Sequence, residues 1–147
     1  MPAILLDKAF NPWDEIQRYQ TEQLPSGSFG ATANFVGTMR DFNIDNKVSR
    51  MTLEHYPAMT QYFLDNLCRQ CLKDYAIDDC LIVHRFGNIS PGEPIVLTAV
   101  WSTHRAQAFD ACRYLMEELK SQAPFWKKEV TEDGERWVHN DQINSEK

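Results

Sequence analysis

The chain has 147 residues, of which 43% are hydrophobic and 24% are charged, and its formal net charge is −6. This length fits one domain with a real core, expected to span residues 1–147 with a loose polar tail after about residue 140. The acidic balance argues against a general nucleic-acid or membrane-surface binder, because both partners favour net positive charge. No stretch approaches the ~18 consecutive apolar residues of a membrane helix, and the N-terminus lacks a signal peptide's basic start. A cytoplasmic protein is therefore expected.

The first third of the chain predicts strand, helix and strand. PAILLD is expected to form an edge strand, and NPWDEIQRYQTEQL a helix with Asn11 as N-cap and Pro12 at its first position. SFGATANFVGTMR indicates a strand in which Gly30 and Gly37 mark a bulge or a close approach. The polar DFNIDNK segment predicts a surface loop.

The middle of the chain predicts a strand, a long helix and a further strand. VSRMTLEHY alternates imperfectly between apolar and polar residues, as a half-buried strand does. A helix is expected to begin near Pro57, and DDCLIVHRFGNI to form one strand. The apolar stripe predicted for this helix contains Met59, Phe63, Leu67, Cys71 and Tyr75, with Leu64, Cys68 and Leu72 beside it.

The last part of the chain predicts a buried strand, a second long helix and two short strands. SPGE indicates a turn, and the nearly continuous apolar run PIVLTAVWST indicates a strand buried on both faces. The helix is expected to have Thr103 as N-cap and to stop before Pro124. FWKKEV and ERWVH then predict strands joined through TEDGE. The predicted apolar face of this helix consists of Phe109, Cys112, Leu115, Met116 and Leu119. The whole chain predicts a mixed α/β or α+β domain with three helices and six or seven strands.

Four cysteines are present, Cys68, Cys71, Cys80 and Cys112. Cys68 and Cys71 form a C-x-x-C pair, which raises the alternative of a zinc or redox site. The pair lies within a helical pattern, and no second C-x-x-C or H-x-x-x-H follows. The four residues are therefore interpreted as small buried apolar side chains, with no metal site expected.

Basic residues fall near the ends of the predicted elements. Arg40 ends the first long strand, His104 and Arg105 precede the last helix, and Lys120 and Lys127 flank the end of that helix. A helix N-terminus beside His and Arg could bind an anion, whereas the ordinary alternative for Arg105 is a surface charge. Lys120 has an ordinary alternative as well, because the helix dipole favours lysine near a C-terminus.

Strand alternation separates the two lysines of FWKKEV. Lys127 shares one face of the strand with Phe125, and Lys128 takes the other face, where a solvated charge is expected. The nearby side chains interpreted as structural rather than ligand-binding are Phe125, Trp126, His55 and His84.

Four stretches together resemble a known family. LEHYPAMT, HRFGNISPGE, STHRAQAFDACRYLMEELKSQAPFWKKE and GERWV occur in this order. They resemble the large, catalytic subunits of molybdopterin synthase over roughly Phe29 to Val138, and the motif LK..APFWK.E is long and unusual. The resemblance implies a hammerhead-type α/β domain with an added antiparallel β subdomain.

The resemblance also implies an activity and partners. In this family a central homodimer binds two small ubiquitin-like subunits, giving a heterotetramer. The C-terminal Gly-Gly tail of each small subunit carries a thiocarboxylate, and two sulfurs are transferred to cyclic pyranopterin monophosphate. The product is molybdopterin, the dithiolene ligand of the molybdenum cofactor. No cofactor of the chain's own is implied.

Residue by residue, Lys120 and Lys127 match the family's catalytic lysines, and Arg40, His104 and Arg105 match its substrate-binding positions for anions. Both reactants are anions, so an acidic protein needs a local cationic pocket to bring them together. This requirement accounts for lysines around the Ala123-Pro124-Phe125-Trp126 stretch.

The sequence departs from the family in one place. Members carry an arginine shortly after RWV, whereas WVHNDQ offers His139, Asn140 and Asp141. Three alternatives stay open: Arg136 supplies that charge, His139 supplies it, or the contact with the neighbouring subunit differs. Two other functions also stay open: a non-catalytic adaptor that binds a ubiquitin-like tail, and a single-strand nucleic-acid binder that stacks bases on FWKK.

Overall fold

The computed structural model describes residues 3–43 and 46–138, which form three helices and nine strands in two sheets. This mixed α/β architecture confirms the predicted fold class and has more strands than the six or seven expected. The elements are β1 (Ala3–Leu6), α1 (Pro12–Gln23), β2 (Ala31–Thr38), β3 (Phe42–Asn43), β4 (Asn46–His55), α2 (Pro57–Asp74), β5 (Asp79–Arg85), β6 (Gly87–Ile89), β7 (Pro94–Ser102), α3 (Arg105–Gln122), β8 (Phe125–Thr131) and β9 (Gly134–Val138).

The first sheet has the strand order β1-β5-β7-β2, and β1 lies at an edge as predicted. β1 runs parallel to β5, and the other pairs are antiparallel. Helix α1 covers one face, and α2 with α3 covers the other. Alternate β5 residues therefore enter different cores, with Leu81 and Val83 on the α1 side and Cys80 and Ile82 on the other. Two covered faces explain why β5 and β7 are nearly continuous apolar runs.

The second sheet is antiparallel, with the order β3-β4-β8-β9 and with β6 paired to β4. Its small core contains Met39, Val48, Met51, Leu53 and Ile89, with Phe125 packed against it. Because β6 follows β5 directly, one stretch of chain serves both sheets.

Local signals place several of the helix ends. The Asn11 side chain accepts hydrogen bonds from the backbone N–H groups of Trp13 (3.0 Å) and Asp14 (3.3 Å), which caps α1 as predicted. α3 ends at Gln122, and Ala123 is extended with ψ of 134° ahead of Pro124. The predicted N-cap of α3 is wrong by one residue, because His104 rather than Thr103 holds that position.

Two segments differ from their predicted structure. The DFNIDNK segment is not only a loop, because Phe42 in β3 pairs with Lys47 in β4. DDCLIVHRFGNI is two strands rather than one. Gly87 has a φ of +83°, a conformation that favours glycine, and there the chain leaves the first sheet and joins β4.

The buried apolar stripes of α2 and α3 are narrower than predicted. Met59 in α2 and Phe109 in α3 are 56% and 65% exposed. At about 100° per residue, both side chains lie about 100° or more from the centre of the buried stripe of their helix. None of the helices in the described residues is long and apolar enough to span a membrane.

The two glycines predicted to mark a close approach and a bulge both do so. A Cβ on Gly30 would lie 2.6 Å from the carbonyl oxygen of Thr103, so the start of β2 sits against the N-terminus of α3. The β2–β7 register shifts between Gly37 and Thr38, immediately before Met39 and Arg40. The close approach at Gly30 and the register shift after Gly37 thus lie at the two ends of β2, the strand that leads into the site.

Candidate functional site

A cavity of about 340 Å³ lies where the two sheets meet, beneath the C-terminal end of α3. Most of its wall is apolar, and its charged side chains are Arg40, Lys120, Lys127 and Glu129. The apolar wall consists of Phe35, Val36, Met39, Phe42, Met51, Leu53, Ile95, Val96, Met116, Leu119, Ala123 and Phe125. Three of the five predicted site residues therefore line one cavity.

The turn after α3 explains how its two lysines meet. Lys120 lies in the last turn of the helix and is half-buried. Pro124 ends the helix, and β8 begins at Phe125 and runs antiparallel to β4. Reversal of the chain at this point brings Lys127 back to the cavity that Lys120 lines.

Strand β8 presents two different faces. Its inner face, formed by Phe125, Lys127 and Glu129, lines the cavity. Its outer face carries Trp126 and Lys128, as predicted from alternation. Lys128 Nζ lies 3.1 Å from Glu135 Oε2 and 5.5 Å from the ring centre of Trp137.

Glu129 binds two cations within the inner face. Its side chain is 4% exposed, and its Oε2 lies 3.5 Å from Nζ of Lys127, whose side chain is 13% exposed. Arg136 on β9 donates to Oε1 from Nε at 3.3 Å and from Nη2 at 3.1 Å. The carboxylate thus holds the Lys127 ammonium in place. Sequence reasoning missed Glu129, although its period-two spacing from Phe125 and Lys127 gave a signal.

Arg136 is one candidate for the charge that the family's arginine after RWV supplies. In this structure its guanidinium pairs with Glu129 of its own chain. His139, Asn140 and Asp141, with the rest of the predicted loose tail, lie outside the described residues.

Arg40 is held at the cavity by the predicted SPGE turn. Backbone N–H of Met39 donates to Glu93 O, and N–H of Gly92 donates to Met39 O, both at 2.9 Å. The buried Arg85 guanidinium fixes the same turn, with Nη1 2.9 Å from Glu93 Oε1. The Arg85–Glu93 pair therefore positions the residue that precedes Arg40.

His84 also lines the cavity, although the sequence predicted only a structural histidine. Its ring stacks on Phe125 at 4.1 Å between centroids, and Nδ1 lies 2.9 Å from Arg85 O. Burial lowers the pKa of His84 to about 4, opposed by the Arg85 hydrogen bond and helped by His55. The imidazole is therefore neutral at neutral pH. No local sequence pattern marks this position.

His104 and Arg105 are not brought to this cavity within one chain. Both are exposed at the N-terminus of α3, and Lys120 lies near the other end. Fifteen residues separate Arg105 from Lys120, which is about 22 Å at the helical rise per residue.

The four cysteines, all within the described residues, are buried and are not joined in disulfides. A hydrogen bond with Cys80 and burial raise the pKa of Cys71, and a hydrogen bond with Cys68 is the main cause that raises the pKa of Cys80. The thiols of Cys71 and Cys80 therefore stay protonated and are poor nucleophiles. In the described part of the chain, the lining of the 340 Å³ cavity includes no cysteine.

Comparisons with known proteins agree with this architecture. A molybdopterin synthase catalytic subunit from Ralstonia nicotianae is 50% identical over 74% of this chain and 62% of its own length, so the chain spans less than two thirds of that relative. The solved structure of a molybdopterin biosynthesis MoaE protein from Burkholderia ambifaria MC40-6 has a TM-score of 0.77 and 39% identity, covering 92% of this chain and 87% of that one.

A third likeness bears on the fold alone. A protein–protein complex of subunits 1 and 2 of molybdopterin-converting factor from Helicobacter pylori 26695 contains a chain with 21% identity and a TM-score of 0.78, covering 94% of this chain and 90% of that one. The family model described as MoaE protein matches residues 9–122. Because this match covers more than two thirds of the chain, and the fold agrees with it, the chain belongs to the MoaE protein family.

Proposed function

We propose that the chain is the catalytic subunit of a molybdopterin synthase, a sulfurtransferase acting on cyclic pyranopterin monophosphate. The observation that carries this proposal is the convergence of Arg40, Lys120 and Lys127 on one apolar-walled cavity. Lys120 is half-buried and the Lys127 side chain is 13% exposed, so water screens these two charges less than at the surface, and the exposed Arg40 adds a third cation at the cavity.

The sulfur comes from the partner, so the cavity needs no cysteine. In each transfer the thiocarboxylate sulfur forms a bond to a side-chain carbon of the pterin, and a carbon–oxygen bond at that carbon breaks, its oxygen leaving as water or remaining on the opened phosphate. The carbon–sulfur bond of the thiocarboxylate breaks when water attacks its acyl carbon. Oxygen from water completes the partner's ordinary carboxylate. The chain then has three tasks: it positions the reactants, neutralises charge and moves protons.

Lys120 and Lys127 divide these tasks. Lys120, at the end of α3, contacts the thiocarboxylate and acts as general acid and base at the reacting carbons. Lys127 is tied to Glu129 at 3.5 Å, which suits a fixed charge that holds the substrate. Arg40 neutralises charge at the same cavity.

The phosphate-binding role of His104 and Arg105 requires a second copy of the chain. About 22 Å of α3 separates Arg105 from Lys120, so one copy cannot place both on one small anion. In a two-fold homodimer the N-terminus of one α3 meets the cavity of the other copy.

The sulfur donor is a small ubiquitin-like subunit with a C-terminal Gly-Gly thiocarboxylate. Its extended tail fits a narrow recess, and its terminal anion fits the lysines. With a homodimer at its centre, the assembly then contains two large and two small subunits.

Reconstitution tests the reaction. Purified chain is mixed with the thiocarboxylated small subunit and cyclic pyranopterin monophosphate, and the oxidised fluorescent pterin product is quantified. Lys120→Ala should abolish product without a large change in melting temperature, whereas Lys128→Ala, on the outer face of β8, should leave product formation intact. Partner binding without product from the unmodified chain would instead indicate an adaptor.

Mixing of inactive variants tests the second copy. Lys120→Ala and the double variant His104→Ala/Arg105→Ala are co-refolded in equal amounts. If the residues act across a two-fold dimer, about one quarter of the sites regain a full set. Recovery of no activity would mean that His104 and Arg105 do not act across the dimer, and full activity of the double variant by itself would place them outside the site.

A further inference from the structure

His84 lies in the wall of the 340 Å³ cavity with each part of its ring in defined surroundings. One ring face stacks on Phe125, with an interplanar angle of 16°. Nδ1 lies 2.9 Å from the carbonyl oxygen of Arg85. A carbonyl oxygen can only accept, so Nδ1 carries the hydrogen.

The other ring nitrogen is consequently an acceptor. A neutral imidazole has one N–H, and its second nitrogen offers a lone pair. Burial lowers the pKa of His84 to about 4, which keeps the ring neutral at pH 7. Among residues 3–43 and 46–138, no hydrogen-bond donor occupies Nε2 of this cavity-lining ring.

The cavity's charged side chains leave a complementary need, and Thr38 adds one hydroxyl to the lining. Arg40, Lys120 and Lys127 are donors only, which suits a phosphate or a thiocarboxylate. The Glu129 carboxylate already holds Lys127 and Arg136. A nitrogen heterocycle that enters this cavity brings N–H donors of its own, and these need an acceptor.

We propose that His84 is a substrate-recognition residue: its Nε2 accepts a hydrogen bond from a ring N–H or amino group of the heterocyclic substrate. This inference rests on the proposed function, since it assigns the pterin part of the substrate to the cavity that binds its anionic part. His84 thereby selects for the heterocycle, and the cations select for the charge.

Three substitutions of His84 distinguish a role in substrate recognition from a purely structural role. His84→Gln places an amide group near the position of Nε2, and His84→Asn places one near Nδ1 only. His84→Phe retains an aromatic face for Phe125 and removes both nitrogens. Binding is measured by anaerobic calorimetry with cyclic pyranopterin monophosphate, and with inorganic phosphate, which has no N–H group.

His84→Asn and His84→Phe should weaken pterin binding about tenfold or more, because a desolvated donor is left without an acceptor. His84→Gln should restore most of the affinity. Phosphate affinity should be the same in all three variants and in the unmodified chain. Equal pterin affinity in all of them, or a parallel loss of phosphate affinity, would overturn the inference.

Nitrogen NMR gives a readout independent of substitutions. The free protein should show His84 as the Nδ1–H tautomer, and the Nε2 resonance should move when the pterin binds. An unmoved Nε2 resonance in a saturated complex would overturn the recognition role while leaving the proposed function intact. If the unmodified chain neither bound nor converted the pterin, the proposed function itself would be wrong, and this inference with it.

Discussion

Lys127 and Lys128 are adjacent in β8, yet the two faces of the strand give them different surroundings. On the inner face, Lys127 is 13% exposed and paired with the buried Glu129. On the outer face, Lys128 is 28% exposed and is paired with Glu135, whose side chain is 58% exposed. The same side chain can thus act in a desolvated site or serve as an ordinary surface charge, and only the strand's alternation decides which.

The largest expected difference between the faces is in turnover. Lys127→Ala should lower kcat/KM about a hundredfold or more, because a fixed charge at the reacting centre is lost. Lys128→Ala should change it less than about twofold, since exposed pairs contribute little. Parallel assays in the reconstituted system measure both variants. Equal losses would show that the cavity is not where the chemistry occurs.

Acid should lower the folding stability of the protein, because His84 in the cavity wall becomes protonated more readily in the unfolded chain. Its pKa is about 4 in the folded chain and about 6.5 when unfolded, so the unfolded chain binds the proton more readily. Stability is therefore full above pH 6.5 and falls as the pH drops towards 4, by about 3 kcal/mol in total. Burial lowers the pKa of His55 too, which adds loss of the same sign.

Urea unfolding from pH 7 to pH 4 measures this loss, with His84→Gln as the control. The variant should lose less stability over this range than the unmodified chain. If the free energy of unfolding fell equally steeply with pH in the variant and the unmodified chain, groups other than His84 would be the cause of the acid sensitivity.

Substitutions of Glu129 and Glu135 should lower the free energy of unfolding by different amounts, and this difference is smaller than the effect of acid. Glu129→Gln removes the charge between Lys127 and Arg136 and should cost about 2 kcal/mol, less than a fully buried pair because Arg136 is 33% exposed. Glu135→Gln should cost under about 0.5 kcal/mol. Chemical denaturation measures the free energy of unfolding of both variants. Similar losses would mean that the Glu129 carboxylate is effectively solvated.

The last expected difference between the two faces concerns their aromatic residues. Trp126 is 44% exposed and meets Tyr56 edge to face at 4.8 Å. Trp126→Leu should destabilise by about 0.5–1 kcal/mol and leave turnover unchanged. Phe125→Leu should lower turnover, because the stacking partner of His84 is lost. A turnover defect in Trp126→Leu alone would reverse this assignment.

Much of the fold could be predicted because its signals are local. The Asn11 cap, the stop at Pro124 and the continuous apolar run of β7 each depend on a few neighbouring residues. The division of DDCLIVHRFGNI into β5 and β6 could not be predicted in this way. The two parts separate at Gly87 because β5 pairs with β7 of the first sheet and β6 pairs with β4 of the second, and these partners are distant in the sequence.

The site was partly predictable for the same reason. Strand period placed Lys127 on one face, and the resemblance pointed to Lys120 and Arg40. His84 and Glu129 emerge only when distant elements pack, since Phe125 and Arg136 define their surroundings. The separation of His104 and Arg105 from Lys120 follows from helix length, which was available in the sequence.

The junction between β5 and β6 has a consequence for how the cavity receives a ligand. Arg85, at the end of β5, donates to Asn88 O at 2.7 Å and to Glu93 Oε1 at 2.9 Å, and so ties both sheets and the turn before β7 together. These bonds form on folding, before any ligand arrives. The recess is thus preorganised, and binding loses correspondingly little conformational entropy of the wall. A rigid wall of this kind favours one ligand shape over many.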